Sequence, residues 1–201
     1  MAKLVNRVDF SAKIKEKKLG IFSAANICAL FGVSPVAATF LLHRYNKRGI
    51  VVRIKQGLYA LHDIVPSLPD PYIAGRLYAP SYVSREFALS YHRIIPETVY
   101  EITSVTTKAT RRFEKLGKVY SYRHIKRAAF TGYKTERMDR FSFLVADPEK
   151  AFVDTLYYRI LSGQKPINRF DKSKIIKERA FRYAELFKNQ KLAGILKRTL
   201  K

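Results

Sequence analysis

The sequence predicts an α+β fold in which two helices and a short strand pair come first, a mixed α/β region follows, and the chain ends in helices. Three observations support this prediction. Apolar residues recur at helical spacing within residues 24–48, two short strand-like runs follow within residues 50–61, and strand-like runs alternate with capped helices from residue 71 onward. With 201 residues, 47% of them hydrophobic, the chain has room for two small domains, each with its own core.

Polar caps mark the first two helices. We expect Ser23 to cap a short helix over residues 24–30, and Gly32 to supply the left-handed backbone of the turn that follows. Ser34 precedes a proline at the first helical position, which predicts the start of a second helix over residues 35–48. The apolar residues of this helix that are expected to face the first one are Ala38, Leu41, Leu42 and Tyr45.

A β-hairpin is predicted directly after the second helix. Residues 50–54 and 58–61 have the composition of short strands, and the three-residue turn 55–57 places Gly57 where a positive φ is needed. Helix, tight turn, helix and hairpin, in this order, are typical of a winged helix-turn-helix. We expect this DNA-binding domain to comprise residues 1–65.

The polar residues of this domain predict how it meets DNA. The second helix of such a domain enters the major groove, and the hairpin is expected to meet the adjacent backbone or minor groove. The alternative is that these residues form an ordinary solvated face, but the whole pattern together with the overall charge favours DNA. The predicted DNA-binding residues are Ser34, Thr39, His43, Arg44, Lys47, Arg53, Lys55 and Gln56.

The charge balance predicts an acidic polymer as partner. Thirty-nine Lys and Arg against sixteen Asp and Glu give a net charge of +23, spread over all thirds of the chain. The hydrophobic content excludes a disordered basic tail. The acidic polymer is nucleic acid or anionic lipid. The uncharged residues 23–42 include Asn, Gly, Ser and Pro, which disfavours a membrane span.

The expected location is the cytoplasm. A single cysteine, Cys28, excludes an internal disulfide and favours a reducing compartment. The first twenty residues mix charges throughout and lack the apolar segment of a signal peptide.

A proline-rich stretch separates the two predicted domains. Three prolines within residues 64–71 predict a non-helical linker, and the second domain is expected to comprise residues 66–201. Its first helices are predicted over residues 71–79 and 84–92, the latter capped by Ser84.

Strand-like and helical segments alternate in the rest of the second domain. Residues 99–107 and 118–125 show the alternation typical of half-buried strands. Asp147, followed by a proline, is expected to cap a helix with an apolar core face. From about residue 172 the chain is expected to end in a basic, amphipathic helical segment.

Three segments, in this order and spacing, resemble the AbiEi family of abortive-infection antitoxins, the transcription-regulating half of type IV toxin–antitoxin operons. Together they run over roughly residues 20–160, and the tail beyond residue 165 matches none of them. The segments are the predicted winged helix, which ends in residues 49–60, then residues 72–89 with Ile95 and Glu97, and residues 146–154.

The resemblance implies a two-domain transcriptional autorepressor that acts in phage defence. Its N-terminal domain would bind inverted repeats in the promoter of its own operon, and its C-terminal antitoxin domain would oppose a nucleotidyltransferase-like toxin without a stable complex. It also implies that a basic surface of the C-terminal domain assists DNA binding. The matching residues of this second basic surface are Lys108, Arg111, Arg112, Lys115, Lys118, Arg123, Lys126 and Arg127.

The residues themselves give this second surface a physical basis. Eight cations and one acid, Glu114, lie within residues 108–127, and strand-like sequence is expected to put several cations on one face, where they attract phosphates by counterion release. Tyr120 and Tyr122 lie among them at strand spacing. They are suited either to stacking on bases or to packing in the core, and the core is favoured.

The sequence offers no convincing catalytic site. The four histidines lie too far apart for a metal-binding motif, and Asp70 after a proline lacks the later acid and lysine of a nuclease motif. Helix capping accounts for Asp147 and Glu149, and Asp154 is expected to pair with a nearby cation. We therefore predict no catalytic residue, metal or cofactor. The alternatives left open are a nuclease and a non-specific nucleic-acid-binding protein.

Overall fold

The computed structural model describes residues 6–201, and the contacts divide the chain into two units. The first unit is residues 1–69 with residues 138–141, and the second is residues 70–137 with residues 142–201. Both units mix helices and strands, which confirms the α+β class. The first unit contains α1 (Arg7–Glu16), α2 (Ala24–Phe31), α3 (Pro35–Lys47), β1 (Val51–Lys55), β2 (Leu58–Leu61) and a 3₁₀ turn (Val65–Ser67).

Helix α1 was not predicted from the sequence. Asn6 caps it by accepting a hydrogen bond from the backbone amide of Asp9 at 2.8 Å. Phe10 and Ile14, one turn apart, are fully buried in the core of the first unit. Because Val8 places an apolar side chain on the exposed side of α1, the amphipathic pattern of this helix is weak.

Helices α2 and α3 follow the prediction closely. Ser23 and Asn26 form a reciprocal capping box at the start of α2, and Gly32 ends it with a φ of +64°. Ser34 caps α3 as expected. Within residues 6–201 no single helix is long and apolar enough to cross a membrane. Helices α2 and α3 reach that length together, but they are bent by 112° at their junction.

The predicted hairpin is present, with a shorter turn. Strands β1 and β2 are antiparallel, and a bulge between Arg53 and Lys55 takes up one residue, so only Gln56 and Gly57 form the turn. Phe22 adds an extended segment beside β2, because its backbone exchanges two hydrogen bonds of 2.8 Å with that of Tyr59. The first unit thus has the order helix, extended segment, two helices and hairpin.

The stretch predicted to be a non-helical linker contains helical structure, so that prediction was wrong. Residues 65–67 form a 3₁₀ turn, and α4 begins at Asp70, ahead of Pro71. Pro66 lies in the first turn of the 3₁₀ helix and Pro71 in the first turn of α4. Both are accommodated because the backbone N–H groups of a first turn have no partner within the helix. The second unit contains α4 (Asp70–Leu77), β3 (Ser81–Val83), α5 (Arg85–Tyr91), β4 (Ile102–Thr106), β5 (Arg111–Lys115), β6 (Lys118–His124), β7 (Tyr133–Met138), β8 (Phe141–Ala146), α6 (Pro148–Leu161), α7 (Lys177–Glu185) and α8 (Gln190–Thr199).

A mixed six-stranded sheet in the order β5-β6-β4-β3-β8-β7 organises the second unit. Strand β4 pairs in parallel with β6 and antiparallel with β3, and β3 pairs in parallel with β8. All five residues of β4 are buried, whereas half-buried strands were predicted. The reason is that β4 lies inside the sheet, with α4 and α5 packed against it.

Helix α6 forms the centre of the helical layer, with α5, α7 and α8 packed against it. Asp147 caps it as predicted, by accepting a hydrogen bond from the backbone amide of Lys150 at 2.8 Å. The predicted cap of α5 is wrong. The side chain of Ser84 is buried and its hydroxyl donates to the carboxylate of Asp154 at 2.7 Å, so it makes no capping bond.

Candidate nucleic-acid interface

One exposed line of side chains runs along α3. Val36, Phe40, His43 and Lys47 are spaced by four, three and four residues, which puts them on one side of a 3.6-residue helix. All four are exposed. The opposite side carries the buried residues that were predicted to face α2, namely Ala38, Leu41, Leu42 and Tyr45. The fixed core side therefore determines which residues α3 presents outward, and we call this line with Ser34, Thr39 and Arg44 the α3 face.

Two hydroxyls of the α3 face have different capacities for new hydrogen bonds. The oxygen of Ser34 accepts from the backbone amide of Ala37 at 3.2 Å, so its proton remains available to an outside acceptor. The hydroxyl of Thr39 already donates to the carbonyl of Pro35 at 2.8 Å. Thr39 can therefore offer a partner only its lone pairs and its methyl group.

The cations of the α3 face lie in its C-terminal half. Arg44 and Lys47 are exposed in the last turns of the helix, beside the exposed His43. The guanidinium of Arg44 lies 5.7 Å from the ring centroid of Tyr45. Burial raises the pKa of Tyr45, and the positive charges of Arg44 and Arg48 oppose that rise. Arg44 is thus held against a rigid core ring while its charge faces solvent.

The hairpin contributes the other three predicted residues. Arg53 is exposed on β1 opposite Tyr59, and Gln56 is exposed in the turn, where Gly57 has a φ of +77°. Lys55 is half-buried. All eight predicted DNA-binding residues thus belong to the first unit, and seven of them are exposed.

Two features of this region were not predicted from the sequence. Residues 17–62 contain seven Lys and Arg and no Asp or Glu, so no carboxylate of this segment opposes an incoming phosphate. Val36 and Phe40 were not predicted, because only polar and charged residues were assigned to the outer side of this helix. The helical phase set by Ala38 and Leu41 was the signal that places both of them outside.

The β5-β6 part of the second basic surface carries cations on both faces of the sheet. Arg111 lies opposite Tyr122, Arg112 opposite Ser121 and Lys115 opposite Lys118. Because paired residues share a face and neighbours alternate, Arg111, Lys115 and Lys118 lie on one face of the sheet and Arg112 on the other. Several cations therefore share one face.

Several of these cations already have partners. Arg112 pairs with Glu114 at 2.5 Å, and Lys118 pairs with Asp70 at 2.6 Å. The ammonium of Lys126 donates to the backbone carbonyl of Phe187 at 2.5 Å. Lys108 is exposed, and its ammonium lies 5.6 Å from the ring centroid of Tyr78. Among residues 6–201, no carboxylate lies within ion-pair distance of the exposed cations Arg111, Lys115, Arg123 and Arg127.

Tyr120 and Tyr122 are core residues. Both are fully buried, and burial raises the pKa of each phenol. The hydroxyl of Tyr122 donates to the carbonyl of Ala74 at 2.7 Å, and that of Tyr120 lies 3.5 Å from the carboxylate of Asp70. The core interpretation is confirmed, and stacking of these two rings on bases is excluded because no face of either ring is accessible.

The acidic residues considered for catalysis hold the second unit together. Asp147 accepts hydrogen bonds from Arg179 at 2.7 Å and from Tyr183 at 2.6 Å, which joins α6 to α7. Glu149 accepts from the backbone amide of Ile176 at 2.9 Å. Asp154 pairs with the cation of Lys150, as predicted. Within the part of the chain that the structure describes, no three His, Cys, Asp or Glu residues are grouped closely enough to hold a metal ion.

A protein-family model matches the N-terminal part of the chain. Residues 12–62 match a family model described as transcriptional regulator, AbiEi antitoxin. The predicted resemblance to this family is thereby confirmed for the segment from α1 to β2, which holds the whole α3 face and the hairpin. No curated protein matches the chain. The similarity supports a role as a regulator of the antitoxin type.

Proposed function

We propose that this chain, similar over residues 12–62 to AbiEi transcriptional regulators, is a sequence-specific DNA-binding autorepressor and antitoxin of a type IV toxin–antitoxin system. The first unit acts as a winged helix-turn-helix, with α3 in the major groove and the β1-β2 hairpin on the neighbouring backbone or minor groove. The observation that carries the proposal is the α3 face, which is accessible from Ser34 to Lys47 in a segment without acidic residues.

The order of elements supports this assignment. Two capped helices joined by a tight turn at Gly32 precede a basic hairpin, and the extended segment at Phe22 braces β2. An α-helix fits the width of the major groove, and exposed cations at the C-terminal end of α3 are suited to the flanking phosphates. Binding to inverted repeats in the promoter of its own operon, in the cytoplasm, completes the proposal.

The second domain, residues 66–201, is proposed to carry the antitoxin activity. It would oppose a nucleotidyltransferase-like toxin without forming a stable complex. Of its second basic surface, we propose that the exposed cations for which residues 6–201 provide neither a carboxylate, a backbone carbonyl nor an aromatic ring as partner assist DNA binding, since a cation paired with an acid must first leave it. These are Arg111, Lys115, Arg123 and Arg127.

A footprint on the DNA upstream of the chain's own gene tests the regulatory half of the proposal. The wild type is expected to protect a pair of inverted repeats at about 0.1–0.2 M salt, and the double variant Arg44→Ala, Lys47→Ala is expected to lose this protection. Lys191→Ala, which removes an exposed cation of α8, is the matched control and is expected to keep the footprint.

Each alternative has its own outcome in this experiment. Equal affinity for random duplexes indicates a non-specific binder and contradicts sequence-specific repression. Metal-dependent cleavage of the DNA that Asp147→Asn and Glu149→Gln abolish indicates a nuclease.

The antitoxin half is tested separately in cells. The proposal predicts a nucleotidyltransferase-like toxin gene beside this one. That gene is induced with and without the chain, and growth is measured. We expect the double variant Arg44→Ala, Lys47→Ala to restore growth like the wild type while a promoter reporter shows lost repression. Loss of both activities in this variant contradicts the division of labour between the two domains.

A further inference from the structure

Two large apolar side chains lie on the α3 face in full contact with water. Phe40 is 71% exposed and Val36 is 65% exposed. They are one helical turn apart, so their side chains are neighbours on the helix surface and form one apolar patch. Single exposed apolar residues are common on protein surfaces, so exposure alone assigns no role to them. Their position on α3, the helix proposed to enter the major groove, does indicate a role.

The N-terminal half of α3 has almost no hydrogen-bond donor to offer a base. Val36 and Phe40 have none, and the single hydroxyl proton of Thr39 is already donated to the carbonyl of Pro35. Purine edges in the major groove are read mainly by bidentate side chains such as Arg, Asn and Gln. Apart from the hydroxyl proton of Ser34, which remains available, this stretch of the helix therefore offers apolar contacts to a base edge.

Charge restricts what that apolar partner is. The patch is followed along the same face by His43, Arg44 and Lys47, and residues 17–62 contain no acid. A partner has to be strongly acidic overall and yet present apolar groups at the patch. In duplex DNA the major groove provides both, because the C5-methyl group of thymine is the apolar group that base edges present there.

We propose that Phe40 and Val36 determine sequence preference by packing against thymine methyl groups in the major groove. The inference rests on the proposed function, since it requires α3 to enter the groove. It adds that each half-site contains at least one thymine opposite this patch, with Phe40 making the larger contact because its ring is the larger apolar surface.

Replacing thymine by 2′-deoxyuridine tests this inference, because it removes only the C5-methyl group. The probes are the footprinted upstream duplex and a set of duplexes in which its thymines are replaced one position at a time. For the wild type, at least one position in each half-site is expected to weaken binding about fourfold, the change that corresponds to about 0.8 kcal/mol for one buried carbon group.

The protein variants assign the effect to residues. Phe40→Ala is expected to bind thymine and deoxyuridine duplexes with equal affinity at the sensitive position, and Val36→Ala to reduce the difference. Lys47→Ala is expected to weaken binding to both duplexes and keep their ratio, because it removes a charge contact. Val8→Ala removes an equally exposed valine from α1 and is expected to change neither value. Far-UV circular dichroism checks that each variant is folded.

The outcomes separate this inference from the proposed function. A footprint whose affinity is unchanged by every thymine replacement contradicts methyl recognition and leaves the repressor assignment intact. Absence of any footprint contradicts both. A wild type that sediments as a dimer while Phe40→Ala sediments as a monomer, with no thymine effect, assigns the patch to contact between copies of the chain and overturns the inference.

Discussion

Lys150 and Asp154 form an ion pair one turn apart on α6, and both side chains are completely buried. The hydroxyls of Ser84 and Tyr82 donate to the same carboxylate at 2.7 and 3.2 Å. Burial raises the pKa of Asp154, and the ammonium of Lys150 opposes that rise. One carboxylate therefore ties α6 to β3 and to the start of α5.

Removing one partner of this pair is expected to destabilise the second unit strongly. Asp154→Ala leaves the ammonium of Lys150 buried without a counter-charge, which costs about 3–5 kcal/mol. Urea denaturation followed by far-UV circular dichroism measures the loss. The double variant Lys150→Met, Asp154→Leu removes both charges and is expected to recover at least half of it. A single variant that unfolds at the wild-type urea concentration contradicts the assigned role of the pair.

Two glycines allow backbone strain to be separated from steric conflict. Gly132 has a φ of +75°, and a Cβ there would lie 2.7 Å from the ring of Tyr183 and 2.9 Å from the side chain of Lys150. Gly117, in the β5-β6 turn, has a φ of +71° with open space around it.

Gly117→Ala is expected to cost about 1–2 kcal/mol, the strain of a left-handed backbone alone. Gly132→Ala adds overpacking of about 1–3 kcal/mol to that strain. The free energies of unfolding of the two variants, measured side by side, check the difference. Equal losses would show that Tyr183 moves aside freely.

Local signals account for the parts of the fold that the sequence predicted well. Caps at Ser23, Ser34 and Asp147 and the left-handed Gly32 act within a few residues, so they are visible in the sequence. Strands β3, β5 and β7 were not predicted. Three of the five residues of β5 are Arg or Lys, and β5 is an edge strand of the sheet. Such a strand lacks the clear apolar alternation by which strands are predicted.

Partners far along the chain account for most of the failures. Ser84 has the position of a cap, but its hydroxyl bonds to Asp154, seventy residues away. Tyr122 reaches the carbonyl of Ala74 across forty-eight residues. On α3 the polar residues of the site were predicted because polar groups on a basic helix suggest contact with DNA. Phe40 was not predicted as part of the site, because its exposure follows from the packing of the opposite side of α3.

A pH dependence is expected from the exposed ion pair of Lys15 and Asp63 at 2.5 Å. The hydrogen bond from Lys15 lowers the pKa of Asp63 in the folded state. A carboxyl with a lowered folded pKa stabilises the fold above its unfolded pKa, and this contribution is lost as the pH falls through the folded value. Since both side chains are more than half exposed, solvent screening limits the contribution to about 0.2–1 kcal/mol.

The variant Asp63→Asn checks this contribution. It is expected to be less stable than the wild type by that amount at pH 7, and by a smaller amount at about pH 3, below the unfolded pKa of about 3.9. Denaturation at both pH values measures the two differences. If the difference in the free energy of unfolding between wild type and variant were the same at the lower pH, the effect of the substitution would be due to packing rather than to charge.

The second basic surface leads to a prediction about salt dependence. Lys115 is exposed at the end of β5, opposite Lys118, with no carboxylate of residues 6–201 within ion-pair distance, whereas the ammonium of Lys126 is held by the carbonyl of Phe187. Each phosphate contact contributes about −0.9 to the slope of log K against log salt concentration. Lys115→Ala is therefore expected to make the slope shallower by about 0.9.

Lys126→Ala serves as the matched control, because it removes the same charge from the same segment but from a cation that is already engaged. It is expected to leave the slope unchanged. Fluorescence anisotropy with the upstream duplex between about 0.05 and 0.2 M salt measures both variants. Equal changes in the two slopes would mean that net charge alone governs binding, as in a non-specific binder, because local geometry then makes no difference to which lysine meets a phosphate.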